Sequence, residues 1–189
     1  LYVFFRKLSI REEHAFWLAL LYAVHPVNVC AASWIPARGD LWLAVSVLLS
    51  FNAFISFLQT RKLTFAVGSV LAFGLALLSK ETAAILPFLF LWYYFFISPD
   101  KKLGLSHWLY AVALLAVGVV WFWIRTSVVI SNAHMSWSTF FDNWQHFPSA
   151  LTQWVLPYYW NTLPVYTTFN TGFGMAVLVV LCFLLYTYR

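Results

Sequence analysis

Apolar residues run through this chain in long blocks, and short polar clusters interrupt them at intervals. The basic residues mark the interruptions: Arg6, Lys7 and Arg11, then Arg61 and Lys62, then Lys101 and Lys102, and finally Arg189. Residues 12–60 and 63–100 lie between successive clusters; as single helices they would be roughly 74 and 57 Å long, against a hydrocarbon core of about 30 Å. Each interval is therefore expected to be a hairpin. The first runs out from about Ala15 to the His25 region and returns from Leu41 to Leu58. The second runs from Leu63 to Leu78, turns at Ser79-Lys80-Glu81-Thr82 and returns through Ala83 to Ile97. The third leaves near Leu105, reaches Arg125, makes an excursion from Thr126 to Thr171 and returns from Gly172 to Tyr188. The predicted fold is an all-α polytopic transmembrane helix bundle of about six spans in three hairpins, with an interfacial amphipathic segment, expected as a single transmembrane domain over residues 1–189.

Composition agrees with the pattern. Hydrophobic residues make up 63% and charged residues 9%, which excludes a soluble globular domain. The runs are continuous and lack the alternation of barrel strands, so helices are the spanning elements. The formal charge of +5 does not signal nucleic acid; in a membrane chain it records which loops stay in the cytoplasm. By the positive-inside rule the hairpin feet are cytoplasmic, leaving Arg38, Lys80 and Arg125 at the outer tips with Asp40, Glu81, Asp142, His25, His134 and His146. The spans Leu63–Leu78 and Ala83–Ile97 are shorter than twenty residues, which would place Lys80 and Glu81 below the membrane surface. Cys30 and Cys182 fall in different segments, so no disulfide or metal framework follows. The opening Leu1–Phe5 reads like the tail of an apolar helix, and the chain is expected to be a piece of a longer polypeptide.

The excursion, residues 126–171, is expected as an external interfacial loop. In it Phe140, Phe141, Trp144, Phe147, Leu151, Trp154, Val155 and Tyr158 recur at three- and four-residue steps, with polar residues between them. Thr139 and Asp142 have capping-box spacing, and Pro148 is expected to split the segment into two short helices. It reads equally as a lid packed on the bundle and as a lipid-contacting surface.

Ionisable residues at a membrane are costly and often functional, and here they gather at the tips, above all between His25 and Asp40. Arg38 and Lys80 could hold a lipid-linked phosphate, Arg through a bidentate fork and Lys as a point charge. Asp40 or Glu81 could act as a general base or metal ligand, and His25 could do either. The plainer alternatives are ion pairs, Arg38 with Asp40 or Lys80 with Glu81, and a helix-end hydrogen bond for His25. His134, His146 and Asp142 have no diagnostic spacing. There is no Gly-rich phosphate loop, nucleophile elbow or zinc spacing.

His25-Pro26-Val27, then Trp34-Ile35, then Arg38-x-Asp40-Leu41 leading into an apolar span, resembles an external loop of polytopic GT-C glycosyltransferases. The similarity is closest to the transmembrane and tetratricopeptide-repeat O-mannosyltransferases and their bacterial relatives. Ser79-Lys80-Glu81, after Ala76-Leu77-Leu78 and before Leu86-Pro87, is similar to a second signature of that group, and Trp154 to Tyr166 to a weaker third. The resemblance implies transfer of a sugar from a polyprenyl-phosphate donor to a protein or glycan acceptor on the non-cytoplasmic face, usually with inversion, in a bacterial inner membrane or the endoplasmic reticulum. On the physical reading, His25, Arg38 and Lys80 are the expected substrate-binding residues and Asp40 and Glu81 the expected catalytic ones, with Asp40 or Glu81 orienting the acceptor or a divalent ion. The resemblance places the principal acidic motif upstream of Leu1. The alternative is a non-catalytic membrane subunit that binds lipid or a partner protein.

Overall fold

The computed structural model describes residues 1–25, 28, 38–98, 104–128, 143–144, 146–156 and 167–187, and every regular element among them is helical. The helices are α1 (Tyr2–Lys7), α2 (Glu12–Val24), α3 (Arg38–Thr60), α4 (Leu63–Ser79), α5 (Leu86–Phe96), α6 (Leu105–Val128), α7 (His146–Val155) and α8 (Thr168–Thr187). The chain is an all-α integral membrane protein. α3 and α6, with 23 and 24 residues, are long and apolar enough to cross a bilayer, while α4, α5 and α8 are shorter apolar helices. The expected hairpin arms match these helices to within a few residues. One turn differs. In place of a four-residue turn at Ser79–Thr82, Lys80 alone is extended, and a 3-10 turn, Glu81–Ile85, leads directly into α5. Pro87 sits in the first turn of α5, where no N–H partner is needed.

The helices form two compact units: residues 1–23 with 34–130, and residues 24–33 with 131–189. In the first unit α3 and α4 form the central antiparallel pair, with α6 against α4. Its core is aromatic. The Phe54 ring stacks on those of Phe90, at 4.5 Å, and Tyr110, at 5.6 Å, and the latter two are 6.3 Å apart, so the three rings form a triangle. Within this apolar core three hydroxyls satisfy one another. Ser50 Oγ donates to the Ser69 carbonyl at 2.8 Å, Ser69 Oγ donates to the Ser50 carbonyl at 2.9 Å, and the Tyr110 hydroxyl meets Ser69 Oγ at 2.8 Å. The serines let two backbones approach closely, and Tyr110 ties α6 to that contact. At the opposite end of α3 from Arg38, Lys7 Nζ donates to the Asn52 carbonyl at 2.7 Å and to Ser56 Oγ at 2.5 Å, fastening α1. Burial lowers the Lys7 pKa from the ordinary lysine range.

The second unit packs α7 on α8. Ser149 and Thr152 of α7 are buried, with Ser149 Oγ 3.2 Å from Thr171 Oγ1 and Thr152 Oγ1 donating to the Asn170 carbonyl. Phe147 and Val155 are exposed. Within α7, two polar residues thus meet α8 while two apolar ones are exposed. Pro148 does not split this helix. It lies in the first turn of α7, where its missing N–H costs nothing. Gly174 sets the helix spacing, because a Cβ there would stand 1.8 Å from the Pro148 carbonyl oxygen. The expected Thr139–Asp142 cap, His134, Cys30 and most of Trp154–Tyr166 lie outside the described residues.

Candidate functional site

The first turn of α3 carries Arg38 and Asp40, and it lies beside the end of α4: a Cβ on Gly39 would be 3.8 Å from the Ser79 carbonyl oxygen. Antiparallel packing brings the positive N-terminal end of α3 and the negative C-terminal end of α4 to the same place. Asp40 and Lys80, the residue capping α4, each carry the charge that complements their own helix end, and Lys80 Nζ donates to Asp40 Oδ1 at 2.5 Å. Each side chain is a little under half exposed.

The next residue repeats the arrangement. Glu81 begins the 3-10 turn and pairs with Arg125, which lies in the last turn of α6. The Arg125 guanidinium also stands 5.4 Å from the centroid of the Trp121 ring, a cation–π distance. Asp40, Lys80, Glu81 and Arg125 therefore form a row of alternating charge across α3, the α4–α5 turn and α6. The pairing differs from both sequence-level alternatives: Lys80 takes Asp40 rather than its neighbour Glu81, and Asp40 takes Lys80 rather than Arg38.

Arg38 is exposed and makes no ion pair among the described residues. It sits at a helix N-terminus, where a cation is unfavourable by about 0.3–1 kcal/mol. The row is electrically neutral as a set, so Arg38 supplies the net charge of this end of α3.

His25 follows α2, and its carbonyl accepts the Asn28 N–H at 2.9 Å. It belongs to the second unit. Of the five expected site residues, four thus gather in the first unit, and Arg125 joins them. Sequence reasoning placed Arg125 at a tip but gave it no role; the available signal was a basic residue ending an apolar helix, at the level where Glu81 needs a counter-charge. No group of three or more His, Cys, Asp or Glu side chains capable of holding a metal ion occurs among the described residues. Asp40 and Glu81 each face a cation instead.

These side chains offer an exposed cation, Arg38, and two carboxylates that are each paired with a base. A family model described as dolichyl-phosphate-mannose-protein mannosyltransferase matches residues 1–124, which include α1 to α5, nearly all of α6 and the whole charged row except Arg125. No curated protein matches, and no solved structure matches. With 124 of its 189 residues covered by that model, the chain belongs to the dolichyl-phosphate-mannose-protein mannosyltransferase family, membrane glycosyltransferases of the polyprenyl-phosphate-sugar type.

Proposed function

We propose that this chain forms the membrane core of a glycosyltransferase that takes a sugar from a polyprenyl-phosphate carrier and passes it to a protein or glycan acceptor on the non-cytoplasmic face. The observation that carries the reading is the gathering of Arg38, Asp40, Lys80, Glu81 and Arg125 at one end of the first unit. In this reading the hairpin tips face away from the cytoplasm, six spans form three hairpins, and residues 1–189 act as one membrane domain.

In the reaction the bond between the anomeric carbon and the carrier phosphate breaks as an acceptor hydroxyl attacks that carbon. The departing polyprenyl phosphate gains negative charge, and Arg38 stabilises it through two parallel N–H donors. Lys80 adds a second cation whose charge Asp40 holds in place. Asp40 and Glu81 orient the acceptor hydroxyl. The proton of the attacking hydroxyl passes to a carboxylate base, the role that the family resemblance gives to an acidic motif.

A second reading has specific support. Both carboxylates are already matched by cations, as expected of a tip that needs only to be tolerable at a membrane. In that reading the chain is a non-catalytic subunit that binds lipid or a partner protein. Arg38→Ala and Asp40→Asn in the full-length protein separate the two. Loss of sugar transfer at unchanged expression supports the enzyme, whereas unchanged transfer for both overturns the site.

A further inference from the structure

At the α6 end of the charged row Arg125 meets two partners at once. It stands in the last turn of α6, its guanidinium donates to Glu81 Oε2, and its central carbon lies 5.4 Å from the centroid of the Trp121 ring. Trp121 is one turn earlier on the same helix, and helical side chains lean toward the N-terminus, so the arginine folds back over the indole. The negative face of the ring holds the cation there. The indole is itself fixed, because Trp121 packs against the core that contains Leu77, Leu86 and Leu114. One turn earlier again, α6 touches α4: a Cβ on Gly74 would stand 3.6 Å from Val117 Cγ1. A chain of contacts thus runs from the core through Trp121 and Arg125 to the Glu81 carboxylate.

The backbone of Glu81 is set by the 3-10 turn, in which the Ala83 N–H donates to the Lys80 carbonyl at 3.1 Å and Ala83 is 2% exposed. Its side chain has no such support. It is 56% exposed, and a long side chain in water samples many rotamers. Among the described residues Arg125 is the base that pairs with it. An exposed pair of this kind adds little to stability, whereas a fixed carboxylate is what the orientation of a reacting hydroxyl requires. The residues matched by the family model end at 124, so Arg125 is joined to the site by geometry alone.

We infer that Arg125 is a positioning residue for sugar transfer: seated on Trp121, it aims the Glu81 carboxylate at the acceptor hydroxyl without touching the substrates itself. The inference rests on the glycosyltransferase reading above, in which Glu81 orients that hydroxyl. The two carboxylates then behave differently. Asp40 shares its partner, Lys80, with the incoming phosphate, while Glu81 is held from α6 and keeps its partner as the donor binds.

The test is a double-mutant cycle on transfer by membranes containing the full-length protein, with tritiated dolichyl phosphate mannose as donor and a serine- and threonine-rich peptide as acceptor. Rates are taken per folded molecule, alongside thermal unfolding of the same variants. Arg125→Gln should lower kcat by about 10- to 100-fold and raise the acceptor KM, with the donor KM and the unfolding midpoint close to wild type. Trp121→Leu keeps the ion pair but loses the seat, and should give a smaller loss of the same kind. Arg125→Lys should recover part of the rate, since it restores the charge without the planar group. It also runs the same cycle if the glutamine variant does not accumulate. In a Glu81→Gln background, Arg125→Gln should cost no more than about twofold further, because its effect passes through the carboxylate. A wild-type rate in Glu81→Gln defeats the site reading itself. A large loss in Glu81→Gln with a wild-type rate in Arg125→Gln overturns this inference alone. Additive losses in the double variant overturn it as well, since Arg125 would then act without Glu81, and so does an unfolding midpoint that falls in step with the rate.

Discussion

Reversing the Asp40–Lys80 pair separates a structural tie from a participant in transfer. Both side chains are a little under half exposed, so solvent screening limits the pair itself to about 0.2–1 kcal/mol. Each charge also complements a helix end, worth about 0.3–1 kcal/mol. Asp40→Asn should therefore cost roughly 0.5–2 kcal/mol of stability. A protein stable by about 5–15 kcal/mol remains folded after such a loss. A group that orients or activates a reacting hydroxyl contributes typically 10²–10⁴-fold in rate, about 2.7 kcal/mol or more. The two effects are of different size, and transfer measured per folded molecule resolves them. The perturbation is Asp40→Asn alone, then Asp40→Lys combined with Lys80→Asp, which restores the ion pair with its polarity inverted. The assay is transfer of a labelled sugar from a lipid-linked donor by membranes containing the full-length protein, alongside thermal unfolding of the same variants. The expected result is a small loss of stability with about a hundredfold loss of transfer in the single variant, and no recovery of transfer in the reversal. If the reversal restores transfer to within about threefold of wild type, the pair is a tie only, and the role given to Asp40 is wrong.

Four further outcomes follow from named contacts. Arg38→Lys should retain part of the transfer that Arg38→Ala loses, since a point charge replaces the bidentate fork, and the deficit should appear in KM for the lipid donor as well as in kcat. Gly174→Ala drives a methyl group into the Pro148 carbonyl, so α7 and α8 must separate; the cost should reach or exceed the upper end of about 1–3 kcal/mol and be visible as earlier proteolysis between them. Ser69→Ala leaves the buried Tyr110 hydroxyl without its partner and should cost about 1–3 kcal/mol, while adding Tyr110→Phe should recover part of that loss in a double-mutant cycle of thermal unfolding. Burial lowers the pKa of Lys7, so below its folded pKa the native state bears the penalty of a charged, desolvated amine. Stability should therefore rise as pH climbs from that folded value toward 10.5, where the unfolded chain also loses its proton, and the rise should be missing in Lys7→Met.

The hairpin arms were legible in the sequence because apolar run length and basic punctuation are both one-dimensional signals. Leu63 to Leu78 against α4, and Leu105 to Arg125 against α6, differ by only a few residues. Tertiary partnership was not legible. Whether Pro148 splits a helix or opens one depends on where the helix begins, and α7 begins at His146, with Ser149 and Thr152 of α7 buried. The polar face of α7 could not be assigned to water or to protein from periodicity alone, since either would produce the same alternation. The Ser50–Ser69–Tyr110 contact was similarly hidden, because a serine within an apolar run shows no sign of which serine it will meet.

Pairing at the tips illustrates the same limit and carries a mechanistic consequence. Sequence proximity suggested Lys80 with Glu81, and Arg38 with Asp40. The helix ends decide otherwise, since each acid begins a helix and each paired base ends one, so the partners come from different elements. Lys80 and Glu81 are adjacent in the chain yet point their charges to α3 and α6, which makes the α4–α5 turn the joint of the site. In the proposed reading, a phosphate at Arg38 would meet a neutral row in which Lys80 is already bound to Asp40. Engaging Lys80 would then weaken its hold on Asp40 as the donor binds. Donor binding and acceptor orientation would thereby be coupled through one ion pair. Such coupling is reciprocal, so Lys80→Met should weaken donor binding and also remove the dependence of acceptor affinity on donor occupancy, whereas Arg38→Ala should weaken donor binding and transfer and leave that dependence in place.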